Sequence, residues 1–297
     1  MNKTKIEWCR NPDGSAGWSW NPLTGCLNHI NGMCKGGNFP CFAYRLATTR
    51  LRDRYLANRI LPALCGCGDY HYDTEIDAHL KDPFYPRLWP ERLNDVLDSK
   101  KEKGIFVCDM SDLFGIGIPE DWTRQVLNEI RFNERRYVKP HRFYLLTKQP
   151  QNLAKWSPFP DNCWVGVTAT NAKDCLGGLR GLEAITAKVK YISFEPLLDY
   201  IGGLWLADWL NSGIVNWLII GAQTKPYKPP EIEHVKEIVE AADKAGIPVF
   251  LKKNIEPLLR QELNNKYLTG STPNLLFHKW GVNKHGIETQ ILRQELP

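Results

Sequence analysis

No stretch of this 297-residue chain stays apolar long enough to cross a bilayer. The most apolar run, residues 202–222 (GGLWLADWLNSGIVNWLIIGA), is interrupted by Asp208, Asn211, Ser212 and Asn216, short of the roughly 20 residues a span needs. The N-terminus, MNKTKIEWCRNPDG, lacks the apolar core of a secretory signal. Both absences point to a cytoplasmic chain with no membrane partner. Repeats of fixed period and low-complexity tracts are missing, which sets aside solenoids and tethers. A dinucleotide fingerprint is missing too: GIGIP at 115–119 lacks the third glycine of G-x-G-x-x-G and brings a proline. Strong charge of one sign is absent, and a net charge of +5 tolerates a polyanionic partner without requiring one.

Short apolar runs, several rich in β-branched residues, are present and recur. They are GIFVCDM (104–110), RFYLLTK (142–148), CWVGVTATN (163–171), VKYISFEP (189–196), NWLIIGAQ (216–223) and IPVFLKK (247–253). Near-continuous apolar runs of this length suit strands buried on both faces. An earlier strand is expected at GWSWNP (17–22) and another near TEIDAHL (74–80). Amphipathic segments lie between the runs. PEDWTRQVLNEIRF (119–132) opens with proline and two acids. PEIEHVKEIVEAADKAG (230–246) aligns Ile232, Val235, Ile238, Val239 and Ala242 and stops at Gly246. Strand–helix alternation predicts parallel βαβ units. Six to eight strands make a complete or partial TIM-like β/α barrel the expected fold, with an open doubly wound sheet as the alternative. The barrel is expected over residues 1–263, with 264–297 as an extension packed on or beside it.

In a barrel, chemistry belongs at the C-terminal ends of the strands. Those ends read Asp109-Met110-Ser111-Asp112, Thr147-Lys148, Thr168-Ala169-Thr170-Asn171, Glu195-Pro196, Gln223-Thr224-Lys225 and Lys252-Lys253-Asn254. Any one has a plainer reading: Asn171 suits a helix cap, and Glu195 suits an ion pair inside the barrel mouth. Their recurrence on successive strands favours a ligand.

Nine cysteines, an odd number, do not read as a disulfide framework in a reducing compartment. Three of them, Cys26, Cys34 and Cys41, fall in the loop TGCLNHINGMCKGGNFPCFAYRLATTRL (24–51), and a helical run follows. A structural zinc site wants four ligands, commonly as C-x2-C pairs. This loop offers three, with gaps of seven and six residues between them, so zinc would need His29 or a distant cysteine. Three thiolates also suit a [4Fe–4S] cluster with one iron left open. Gly36 and Gly37 let such a loop turn its amides toward sulfur.

The blocks KIEWC, WSWNPLTGC and CFAYRLA resemble the opening of a phage- and prokaryote-associated family of radical-S-adenosylmethionine-like proteins marked by a three-cysteine motif. FVCDMSDLFG, FYLLTKQPQNL, CWVGVTATN, KYISFEPLL, NWLIIGAQ and AGIPVFLKKN resemble its later blocks in the same order, so the likeness spans roughly residues 5–254. The resemblance implies a radical-SAM barrel with its cluster loop after the first strand and Cys26, Cys34 and Cys41 as ligands of a [4Fe–4S] cluster. It implies reductive cleavage of S-adenosylmethionine (SAM) to methionine and a 5′-deoxyadenosyl radical, with electrons from a ferredoxin or flavodoxin. Asp109, Ser111 and Asp112 would then hold the methionine ammonium, Thr147 and Lys148 its carboxylate or the ribose, and Thr168, Asn171 and Glu195 the ribose hydroxyls and a substrate. The chain departs from the usual C-x3-C-x2-C spacing, and its Phe39 and Phe42 flank the third cysteine at displaced positions.

Cys65 and Cys67, in LPALCGCGDYHYD, are candidate catalytic thiols or, with His71, ligands of a second metal; an incidental surface loop is the plainer reading. Cys9 is expected on the cluster side of the barrel, and Cys108, Cys163 and Cys175 in packing roles. Arg45, Arg50, Arg52, Arg54 and Arg59, interleaved with Tyr44 and Tyr55, suit either a solvated helix face or a surface for a nucleic acid or nucleotide substrate. A cluster-containing nucleic-acid-binding protein without turnover is the alternative to the enzyme.

Overall fold

The computed structural model describes residues 1–62, 74–99, 101–260, 276–282 and 288–297. The chain is mixed α/β, built on a mainly parallel central sheet, an arrangement compatible with a partial β/α barrel. It divides into two units, Met1–Trp164 and Val165–Pro297.

In the first unit, β1 (Trp18–Trp20) pairs in parallel with β2 (Gly104–Val107), which pairs in parallel with β3 (Arg142–Thr147). All four residues of β2 are buried, as a strand covered on both faces requires. The strand Asn2–Lys3 runs antiparallel along β1. Between β1 and β2 the chain makes the cysteine loop and two short helices, α1 (Phe42–Thr48) and α2 (Arg52–Ala57). A longer helix, α3 (Glu120–Arg136), starts directly after Pro119 and buries Trp122, Val126, Leu127 and Ile130. β4 (Cys163–Thr168) runs across the division between the units.

In the second unit, Asn171 caps α4 (Ala172–Glu183). β5 (Val189–Phe194), β6 (Trp217–Ile220) and β7 (Val249–Leu251) pair in parallel, in that order. α5 (Ile232–Lys244) precedes β7 and buries Val235, Ile238, Val239 and Ala242, four of the five residues expected on that face. Gly246 takes a positive φ of 67° and lets the Ile247 amide reach back to the Ala242 carbonyl, which closes the helix. Residues 293–295 run antiparallel along β7 through Leu251 N–Arg293 O (2.8 Å) and Glu295 N–Val249 O (3.1 Å). They cover what would otherwise be an open sheet edge.

All six expected runs, and the earlier one at 17–22, therefore form strands. The strand expected near 74–80 is instead a helix, Thr74–Lys81. A threonine and two acids open that segment, and His79 and Lys81 lie in its last turn, a charge order that favours a helix.

A histidine of the first unit links packing to pH. Asn133 of α3 donates to the Val96 carbonyl (3.1 Å) and accepts the His141 amide (2.9 Å), which fixes His141 between Tyr137 and Phe143. Burial, with the Lys103 cation nearby, pushes His141 down from 6.5 to about 4. The unfolded chain thus takes up a proton there before the folded chain does. Stability is retained above 6.5 and lost as pH falls from 6.5 toward 4. The expected loss is about 3 kcal/mol. Urea midpoints at pH 7 and pH 4.5 check it: His141→Phe should flatten the acid limb, and equal losses in both proteins would contradict the assignment.

Candidate functional site

β1 ends at Trp20, and Leu23–Thr24 then pairs antiparallel with Arg87–Leu88. The next residue, Gly25, fastens the cysteine loop to the end of β2. Its N–H donates to the Met110 carbonyl (2.9 Å), and its own carbonyl accepts the Ser111 hydroxyl (2.6 Å). The Cys26 amide then donates to the Phe84 carbonyl (3.0 Å). Phe84 is held by a fully buried Arg87, whose guanidinium donates to the carbonyls of Asn58 (2.9 Å), Asp82 (2.8 Å) and Tyr85 (2.8 Å). A buried guanidinium is tolerated only when its donors are satisfied in this way.

From Asn28 to Pro40 the loop forms a small antiparallel sheet of His29–Ile30, Met33–Cys34 and Phe39–Pro40. Cys41 is the N-cap of α1. Two of the three sulfurs accept a backbone amide: Asn28 N–Cys26 Sγ is 3.3 Å and Tyr44 N–Cys41 Sγ is 3.5 Å, while the nearby Gly36 amide favours the thiolate of Cys34. Burial pushes the Cys26 thiol up to about 12, with Asp112, Cys41 and Cys34 as further charges that act on it. Burial also raises Cys34, against a lowering pull from the Lys148 ammonium. The three thiols are thus electrostatic neighbours. Among the described residues, no three His, Cys, Asp or Glu side chains are grouped to hold a single metal ion. One tetrahedral ion with bonds of about 2.3 Å needs sulfurs roughly 4 Å apart, whereas the thiolates of a cluster bind different irons. The His29 Nδ1 accepts the Gly32 amide (3.3 Å), so that nitrogen is engaged within the loop rather than free for zinc.

The end of β2 is a tight turn. Cys108 takes a φ of 60°, and the next residues carry three of the expected ligands. Asp109 accepts from the Asn21 amide group, and burial raises its carboxyl. Ser111 is bound to Gly25, as described. Asp112 accepts the Thr147 hydroxyl (2.9 Å), the Lys148 amide (3.0 Å) and the Phe114 amide (3.1 Å). Burial raises its carboxyl and these donors oppose the rise. Asp112, Thr147 and Lys148 are therefore brought together as a tie between the ends of β2 and β3. The Lys148 side chain continues to the cysteine loop. A Cβ on Gly36 would lie 3.2 Å from the Lys148 Cβ, and the Lys148 ammonium stands 5.8 Å from the Phe39 ring centre. Sequence reasoning named Lys148 but missed this contact.

In the second unit, Thr168 and Ser193 are buried, and neither hydroxyl has a hydrogen-bond partner among the described residues. Asn171 caps α4 by accepting the Asp174 amide (3.0 Å), and its side-chain amide donates to Thr170 (3.1 Å) and Asp174 (2.9 Å). Glu195 forms an ion pair with Lys252, itself one of the polar strand-end residues, which is the plainer reading the sequence allowed for Glu195. Gly221 makes room for that pair: a Cβ there would meet Lys252 Cδ at 2.9 Å and Glu195 Cγ at 3.5 Å. A double-mutant cycle on Glu195→Gln and Lys252→Met should give a coupling of about 1–3 kcal/mol for this half-buried pair. A coupling near zero would show the two charges to be independent.

Two expectations change. Cys9 is buried against the carbonyls of Trp18 (3.6 Å) and Gly104 (3.7 Å), the first residues of β1 and β2. It sits at the strand starts, the opposite end from the cysteine loop, because Gly17 and Gly104 leave space for the Cys9 segment there. Tyr55 is buried against Trp89 and offers no stacking face to solvent, and Tyr44 is half-buried, packed on His29 and Phe84. Cys108, Cys163 and Cys175 are buried, as packing roles require. Cys65, Cys67 and His71 lie outside the described residues.

A family model described as "Protein of unknown function (DUF5131)" matches residues 3–272. The chain belongs to that family. No curated protein matches it. One solved structure that it resembles is a cysteine-to-alanine mutant of spore photoproduct lyase with dinucleoside spore photoproduct, at 12% identity and a TM-score of 0.39, over 99% of this chain and 71% of that one. No helix among the described residues is long and apolar enough to cross a membrane.

Proposed function

We propose that this DUF5131 protein is a radical-SAM enzyme whose loop cysteines Cys26, Cys34 and Cys41 hold a [4Fe–4S] cluster with one open iron. The reading is supported by one observation: in a loop that follows a parallel strand, the Cys26 and Cys41 sulfurs accept backbone amides, and the Lys148 ammonium favours the thiolate of Cys34. Amide donors to sulfur offset the negative charge that thiolates and a cluster bring into a buried place. The donor set therefore fits the group. Bound there, the cluster supplies an electron, drawn from a ferredoxin or flavodoxin, for reductive cleavage of the SAM sulfonium.

The chain's own residues position and shield. Lys148 presents a cation for the SAM carboxylate, and Asp109 an acceptor for the N–H groups of its amino nitrogen. Asp112 and Thr147 position Lys148 rather than touch the ligand, since their polar atoms are spent on each other and on backbone amides. Ser111 fixes the loop through Gly25 and keeps its oxygen lone pairs for an acceptor role. In the second unit, Thr168, with a spare buried hydroxyl, and Glu195, paired with Lys252, are proposed to meet hydroxyl groups of a ligand. Asn171 is assigned to the α4 cap with its second donor pair committed locally. Cys65 and Cys67 are proposed thiols for returning a hydrogen atom to the substrate. The substrate class is a nucleic acid or nucleotide.

The test is chemical. The full chain, reconstituted anaerobically with iron and sulfide, should convert SAM to methionine and 5′-deoxyadenosine when a low-potential reductant is added. Intact SAM after prolonged incubation of iron-replete protein would contradict the proposal.

A further inference from the structure

The loop and helices that present the cysteines also carry the chain's excess charge. Residues 24–60 contain Lys35, Arg45, Arg50, Arg52, Arg54 and Arg59 against one acid, Asp53, a net +5 that equals the whole chain's. All seven side chains are exposed. Among the described residues, only Arg52 meets an acid, Asp53 at 3.5 Å, and both of those groups face water. Arg54 instead lies close enough to Arg92 for the two cations to repel. Six exposed cations with one acid among them form a surface that lowers its own free energy by gaining a polyanion.

Phe42, the first residue of α1, is 57% exposed beside this charge, and the Arg45 guanidinium lies 5.8 Å from its ring centre. An exposed ring next to a guanidinium is a platform for an unpaired base, whose face stacks on the ring while its phosphates meet the cations. A duplex keeps its base faces covered and would gain nothing from Phe42. Cys41 immediately precedes this platform as the cap of α1.

We infer that the α1–α2 surface, with Phe42 as stacking residue and Arg45, Arg50 and Arg52 as phosphate contacts, docks single-stranded nucleic acid beside the cysteine loop. The inference rests on the nucleic-acid side of the reading above and does not need the cluster.

Fluorescence anisotropy with a labelled 20-nucleotide single-stranded DNA, on full-length protein of measured iron content, tests it from 50 to 300 mM salt. Arg45→Gln/Arg50→Gln/Arg52→Gln should weaken binding at least tenfold at the lowest salt. It should also make the slope of log K against log salt shallower by about 2, as expected for three lost phosphate contacts. Phe42→Ala should cost about tenfold at every salt concentration. A control of equal charge loss, Lys188→Gln/Lys228→Gln/Lys244→Gln in the second unit, should change affinity less than twofold. Equal losses in both triple variants, an unaffected Phe42→Ala, or a duplex bound as tightly as the single strand would overturn the assignment. Binding by protein that takes up no iron on anaerobic reconstitution would keep the docking surface while the cluster reading fails.

Discussion

Cys34→Ala is expected to drop the iron content of anaerobically reconstituted protein from about four atoms per chain to well below one. The reason is geometric. Cys34 sits in the central strand of the small loop sheet, paired with both His29 and Phe39. It is the cysteine beside both the Gly36 amide and Lys148. A cluster held by only the two outer thiols has no third anchor. The fold should survive, because Cys34 lies outside the cluster of Tyr55, Phe84, Trp89 and Met110 that packs against Cys26 and Cys41. Iron and sulfide assays with circular dichroism on the same samples check both halves. Full iron content in the mutant would remove Cys34 from the ligand set, and zinc in the wild-type protein would replace the cluster by a structural ion.

Gly25→Ala should destabilise the first unit by roughly 3–5 kcal/mol. Gly25 has a φ of 88°, and a Cβ there would collide with the Tyr85 and Phe84 carbonyls, the latter at 2.6 Å. Those carbonyls are backbone, the Tyr85 one bound by Arg87 and the Phe84 one by the Cys26 amide, and cannot swing aside. The substitution also strikes the fastening to Met110 and Ser111, so the cysteine loop should lose iron along with stability. Gly14→Ala is the control. Its φ of 79° is similar, but no atom lies within 4 Å of a Cβ there. It should cost only about 1 kcal/mol, the backbone penalty alone. Urea unfolding separates the two, and equal costs would show that the close approach at Gly25 carries no energy.

The strands were legible in the sequence because each is a short apolar run ending on polar residues, and burial on both faces leaves few other ways to satisfy such a run. α5 was legible from its period and its closing glycine. The helix at Thr74–Lys81 was not. Eight residues with mixed polarity carry too little pattern to separate the two periods. The cysteine loop was legible as a cluster of thiols. The partners of those thiols were not, because Gly25 meets Ser111 and Gly36 meets Lys148 across more than 80 residues of chain. Arg87 shows the same limit: an arginine reads as surface until the fold surrounds it with carbonyls. Tyr44 and Tyr55 read as stacking residues by their spacing from the arginines, yet Tyr55 is buried and Tyr44 half-buried against His29 and Phe84, and Phe42 takes the exposed place. The strand-end residues divide by whether local geometry uses them up. Asn171 is consumed as a cap and Asp112 as a tie. Lys148 reaches past its own strand to the loop.

The measurement that bears most directly on the central claim is the electron paramagnetic resonance spectrum of the reduced, reconstituted full-length protein with and without SAM. An open iron that takes the SAM amino and carboxylate groups predicts a cluster signal that shifts when SAM is added. A signal of unchanged shape and position at saturating SAM, from protein with about four irons per chain, would contradict the account.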